Sequence, residues 1–293
     1  ALVMGPAGTR AAESLQMGLP LDCVPGESCW IVNYVDHDPT TGLRDYACGK
    51  ATYNAPPGNQ HKGTDIAIRD FAAMRAGIVV RAAAPGLVAG VRDGMKDANA
   101  RKLGVAAVKG KECGNGVRIE HGDGWSTQYC HMRRGSIGVK KGMRVEEGEI
   151  LGLVGLSGLT EYPHLHIQVA KGKTIVDPFV GPNPGKTCGV AGHPLWNADV
   201  LAQLPYRPTA LYIAGFAGSV PKPEQARDGA YYDSSLSRTA PTLVLWVDMF
   251  QVKAGDELTL AITGPNGETV MSNTSVLKKT RVRDFRYGGK KKK

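Results

Sequence analysis

From Gly77 to Ala170 the chain is written in short β-branched runs cut by glycines: "GIVVRAAAPGLVAGVRD", "NGVRIEHGDG", "WSTQYCHM", "VKKGMRVEEGEILGLVG" and "HLHIQVA". Runs this short, punctuated by Gly or Gly-Asp about every ten residues, specify antiparallel strands joined by tight turns. Helices need apolar residues at three- and four-residue spacing over longer stretches. Only "DFAAMRAG" (70–77) and parts of residues 1–20 leave room for short helical turns. The chain is expected to be all-β.

Between Asp177 and Tyr206 the composition turns dense in Pro and Gly, as domain boundaries do. Beyond it, "TALYIAGFAG", "TLVLWVDMFQ", "DELTLAITGPNGETVM" and "RVRDFRYG" read as strands of a second, smaller β-sandwich. The expected organisation is an N-terminal segment (1–53) packing on an antiparallel β-sheet domain (54–182). A Pro/Gly-rich linker (183–206) and an accessory β-sandwich with a basic tail (207–293) follow. Trp246 invites a sugar-stacking role, but a core position is the simpler expectation.

Six cysteines occur without any CxxC pair, which favours disulfides in an oxidising compartment over zinc ligation. Cys113 and Cys130 bracket two alternating runs around a Gly-Asp-Gly turn, where hairpin ends meet, so they are expected to pair. Cys23, Cys29, Cys48 and Cys188 allow three pairings; Cys23 with Cys29, across the Pro25-Gly26 turn, is the one taken. The compartment is then periplasmic or extracellular. No apolar run of eighteen residues exists to span a membrane. The opening at Ala1, with no basic segment followed by an apolar one, is expected of a processed chain. The net charge of +9 includes the run Lys290 to Lys293, read as a solvated tail. A basic exported protein is drawn to polyanionic surfaces such as a cell wall or anionic lipid. With 6% aromatics and no helix-turn-helix, zinc-finger or RNA-binding signature, nucleic acid is not an expected partner.

The chemistry-bearing letters lie in three stretches. "EYPHLHIQVA" (161–170) puts His164 and His166 two apart in a strand, so both imidazoles leave the same face. Alone, such a pair is most simply a surface patch. "HKGTDIAI" (61–68) adds His61 and Asp65 four apart at the start of a strand, and "STQYCHM" (126–132) ends on His131. Two imidazoles and a carboxylate suit zinc, with a position left for water when the site is catalytic.

HxxxD, then a strand-borne histidine in "YCHM", then "PHLHIQV" preceded by "GLSG", closely resembles the lysostaphin-type zinc endopeptidases, enzymes that cut peptide bonds in bacterial peptidoglycan. The likeness runs from about Asn54 to Pro178. It implies that His61, Asp65 and His166 bind Zn²⁺ and that His131 and His164 stand over the scissile bond. Peptidoglycan stem peptides and cross-links are the implied partners, and a bacterial periplasmic or secreted location the implied setting. Two departures stand out. "GLTEYPHLH" places Glu161 and Tyr162 where the family has short residues, and they are read as reshaping the substrate groove. The insertion at 93–116 is longer and more basic than a tight connection and is read as a groove wall.

Two other classes remain. A catalytically silent relative would bind peptidoglycan or activate an amidase, but such members lose ligands and all five polar residues stand here. A lipoyl-like hairpin domain would explain "VKKGMRVEEGEILGLVG", yet no lysine stands at a hairpin tip between hydrophobic flanks. His121 is a turn-flanking side chain, His37 fits an Asx-type turn, and His193 is assigned nothing.

Overall fold

The computed structural model describes residues 15–54, 59–183, 192–232 and 235–291. The described residues are nearly all strand and loop, with antiparallel pairing throughout the strand ladders. The strands are β1 (Cys29–Asn33), β2 (Thr64–Ile68), β3 (Val79–Arg81), β4 (Gly86–Arg92), β5 (Asn115–Gly122), β6 (Trp125–Met132), β7 (Arg144–Val145), β8 (Ile150–Leu153), β9 (His164–Lys171) and β10 (Thr174–Val176). They continue with β11 (Ala210–Ala217), β12 (Thr242–Val252), β13 (Glu257–Thr263), β14 (Thr269–Val276) and β15 (Arg281–Lys291). The main sheet runs β1-β2-β9-β6-β5-β4-β7, with β10 on β9, while β3 and β8 form a separate pair.

Alternation along β9 explains how this sheet serves both a core and a site. Leu165, Ile167 and Val169 enter a large apolar core with Ile66, Ile68, Ile119 and Tyr129, while His164 and His166 leave the opposite face. Helix-forming stretches are few, as the short apolar runs require. "FAAMRA" makes one short helix, α1 (Phe71–Ala76), capped by the Asp70 side chain on the Ala73 N–H. A single turn, α2 (Ala100–Leu103), lies in the 93–116 insertion. No helix forms in the described part of 1–20. Residues 1–14 lie outside the described residues. The N-terminal segment contributes β1 to the main sheet and Met17, Leu21 and Tyr34 to its core.

Cys23 pairs with Cys29, and Cys113 with Cys130 at the open end of the β5–β6 hairpin. Cys48 is also disulfide-bonded, and Cys188 lies outside the described residues.

The stretch expected as a linker is packed over its described second half, 192–206. Leu195, Trp196, Val200 and Leu204 join the main core, and α3 (Ala198–Gln203) starts on an Asn197 cap. C-terminal to it, β11, β12 and β15 form a three-stranded sheet, and the β13–β14 hairpin packs on it through Val247, Met249, Leu260 and Leu277. Trp246 is 2% exposed, against Val244, Ala217 and Ala226. Both faces of β12 are therefore covered. A separate apolar cluster, Trp30, Val32, Ala67, Ala210, Tyr212 and Phe250, joins this sheet to strands β1 and β2.

Candidate functional site

Register builds the site. Asn33 on β1 pairs with Asp65 on β2, and Asp65 pairs with His166 on β9, so three polar side chains stand in one row across the sheet. His61 arrives from the turn before β2, with its Nε2 3.1 Å from Asp65 Oδ1 and 3.1 Å from His166 Nδ1. His166 Nδ1 lies 2.9 Å from the same oxygen. His61, Asp65 and His166 each offer one ligand atom, all within 4.8 Å of one another. Gly63 permits this closeness, since a Cβ there would sit 2.6 Å from His166 Nε2 and 2.6 Å from the Ile167 carbonyl oxygen.

His164 shares the face of His166, with Nε2 3.5 Å from Asp65 Oδ1. His131 reaches the cluster by breaking the strand's alternation: its φ is +62°, and its backbone N–H is held by the Cys113 carbonyl at 2.8 Å. Its ring lies 4.7 Å from that of His164 and 5.9 Å from that of His166. A strained non-glycine residue at such a place is a mark of functional sites.

Backbone acceptors fix the tautomers. Nδ1 of His61 donates to the Tyr34 carbonyl at 2.7 Å, Nδ1 of His131 to the Ser157 carbonyl at 2.8 Å, and Nδ1 of His164 to the Tyr162 carbonyl at 2.9 Å. With Nδ1 engaged, Nε2 of each ring is the nitrogen left for a ligand or a proton.

Burial works to raise the pKa of Asp65, but the charges of His61 and His164 and the hydrogen bonds of His164 and His166 outweigh it and hold the carboxyl well below its ordinary range. For His61 the opposing influences resolve upward: burial depresses it, and the charge and hydrogen bond of Asp65 more than compensate. Burial, reinforced by the charges of His164 and His166, holds His131 well below the ordinary histidine value. His166 is also lowered, by burial against the pull of Asp65.

The remaining residues singled out from sequence fall around this cluster. Tyr162 is half-buried, its ring 4.7 Å from that of His164 and 5.1 Å from that of Phe250. Glu161 is exposed and pairs with Arg101 of the 93–116 insertion at 2.6 Å, while Asn99 of the same insertion donates to the Glu161 carbonyl at 2.9 Å. Beyond α2 the insertion continues into a turn of 3₁₀ helix (Val105–Val108). His121 bridges the Pro85 carbonyl and Thr127, and His37 pairs with Asp177. A cleft of about 280 Å³ runs beside His61, bordered by Asp36, His37, Gln60, Lys62 and Asp177. Sequence reasoning missed Asn33, whose Nδ2 donates to Asp65 Oδ2 at 2.8 Å. The available signal was a lone amide ending the apolar run "CWIV".

An antiparallel sheet presenting two imidazoles and a carboxylate at ligand spacing, with two more imidazoles beside them, defines the class of a candidate metal-dependent hydrolase centre. Residues 59–178 match the profile of Peptidase family M23. It is similar to the cell division protein DipM of Caulobacter vibrioides, 41% identical over 64 residues, 22% of this chain and 10% of the relative. It is also similar to the peptidoglycan DD-endopeptidase ShyA of Vibrio cholerae, 40% identical over 63 residues, 21% of this chain and 14% of the relative. The matched segments thus span a small fraction of those relatives' own lengths. Among solved structures, a zinc-containing peptidase from Vibrio cholerae is 26% identical with a TM-score of 0.33, over 50% of this chain and 39% of that one.

Proposed function

We propose that this protein is a zinc-dependent endopeptidase that hydrolyses peptide bonds in peptidoglycan cross-links, outside the cytoplasm of a bacterium. The reading is carried by one observation, the convergence of His61, Asp65 and His166 within 4.8 Å beside two further imidazoles. The donor set fits zinc, being mixed nitrogen and oxygen with the ligating His61 ring held from behind by a backbone carbonyl. Bound there, zinc would bring the pKa of a coordinated water toward about 7 and polarise an amide carbonyl. His131 and His164, each with Nδ1 held by a backbone carbonyl, would exchange a proton with the attacking water and the departing amine and donate to the developing oxyanion. Glu161 and Tyr162 would shape the groove, and the 93–116 insertion, tied to Glu161, would form one wall.

The DD-endopeptidase relative supports the substrate class, and the two described disulfides support an oxidising compartment. Residues 207–291 are proposed to be an accessory module without reacting groups of its own, placing the enzyme on its insoluble substrate.

The test is digestion of purified peptidoglycan, one type with direct cross-links and one with glycine bridges, with mass spectrometry of new termini and elemental analysis of the enzyme. Cleavage of direct cross-links and about one zinc per chain are expected. A protein that takes up no zinc and produces no new termini from either wall type overturns the reading.

A further inference from the structure

The carboxylate at the centre of the site is held from outside the M23 stretch. Asp65 turns Oδ1 toward the imidazoles, and its Oδ2 accepts from Asn33 Nδ2 at 2.8 Å. The same Nδ2 donates to the Tyr162 hydroxyl at 3.1 Å. On the far side, Asn33 Oδ1 accepts from Gln251 Nε2 at 2.6 Å, and Gln251 Nε2 also lies 3.4 Å from the Val32 carbonyl. Asn33 lies on β1 and Gln251 on β12, both beyond residues 59–178.

An asparagine amide has two flip states, and only one presents N–H to a carboxylate. In the other, the Asn33 oxygen would face Oδ2 of Asp65, leaving two buried acceptors against each other without a donor. A donor fixed on the far side of Asn33 selects the productive state. Gln251 takes that place in a conformation glutamine rarely adopts, φ +57° within a strand. Such geometry persists where contacts hold it, and here the Thr209 hydroxyl donates to the Gln251 carbonyl at 3.0 Å.

We propose that Gln251 is a positioning residue of the metal centre: acting through Asn33, it fixes the carboxylate of Asp65 and makes the C-terminal sheet part of the site. The proposal rests on the reading of His61, Asp65 and His166 as metal ligands.

Gln251→Asn tests it, because asparagine tolerates positive φ and keeps an amide but falls one methylene short of Asn33. Gln251→Glu keeps the volume and replaces the donor facing Asn33 Oδ1. Zinc affinity of the full chain is measured by competition with a chromogenic chelator, alongside circular dichroism, thermal unfolding, and kcat and KM on a soluble cross-linked peptide. Asn33→Ala should weaken zinc binding about 10- to 100-fold, as loss of a ligand's supporting partner does. Gln251→Asn and Gln251→Glu should each weaken it about three- to tenfold, the worth of one hydrogen bond, with kcat falling more than KM rises. The double variant Q251N/N33A should bind no more weakly than N33A, because residues acting in series are not additive. Wild-type zinc affinity in a folded Gln251 variant, or additive losses in the double variant, overturns the proposal while leaving the metal site standing. Failure of the wild-type chain to take up zinc overturns both.

Discussion

Asp65 in the main sheet and Asp248 in the C-terminal sheet are buried alike, at 1% and 0% exposure, and are satisfied in opposite ways. Asp248 is clasped by two guanidinium groups, Arg227 Nε at 2.9 Å and Arg283 Nη2 at 2.7 Å. Those groups carry a permanent charge and only donors, so the cluster is closed to any cation. Asp65 is surrounded by imidazoles, which can surrender a proton and present a lone pair. Equal burial of a carboxylate therefore says little about its purpose. What its neighbours can release separates a brace from a reactive centre.

The sharpest way to break this comparison is His166→Ala, which should abolish both zinc binding and peptide cleavage; metal analysis showing full occupancy in that variant would remove His166 from the ligand set. Next, His131→Ala and His164→Ala should each lower turnover about 10² to 10⁴-fold, the usual worth of a positioned acid or base, with zinc content unchanged. Loss of zinc in either would move that histidine among the ligands. Asp248→Ala should behave in the contrary manner, costing about 1 to 3 kcal/mol in denaturant unfolding because two half-buried guanidinium groups lose their partner, while zinc stoichiometry stays at wild type. Chelation should destabilise the main sheet by about 2.7 kcal/mol relative to protein with free zinc at a hundred times its dissociation constant; an unchanged melting temperature would contradict a folded-state metal site. The smallest effect is expected at the exposed Arg101–Glu161 pair, where Glu161→Gln should change stability by under about 1 kcal/mol and act on KM alone.

The all-β class was legible because short Gly-punctuated runs admit few other solutions. The candidate site was legible because two of its pieces are local: His61 and Asp65 stand four apart, and His164 and His166 two apart. Strand register completes it, pairing Asp65 with His166 across β2 and β9. Asn33 and Gln251 were hidden because an amide that supports a carboxylate leaves no spacing pattern; only the pairing of β1 with β2 brings Asn33 beside Asp65. The packing of 192–206 was masked by its Pro and Gly content. Trp196, Val200 and Leu204 recur every four residues, as one helix face would, and all three are buried. Trp246 follows the simpler expectation, because the strand that bears it is covered on both faces.

The hydrogen bond from Gln251 to Asn33 joins residues 218 positions apart. Contacts of such separation form after local hairpins, since the chain entropy of closing the loop must be overcome before the contact contributes. If Gln251 acts as proposed, a chain still emerging or only partly folded has its ligands but holds them loosely, and hydrolytic competence is the last property the molecule acquires. Refolding followed in time should then show the β5–β6 hairpin protected from amide exchange well before tight zinc binding returns. Tight binding regained ahead of the C-terminal sheet would contradict that order.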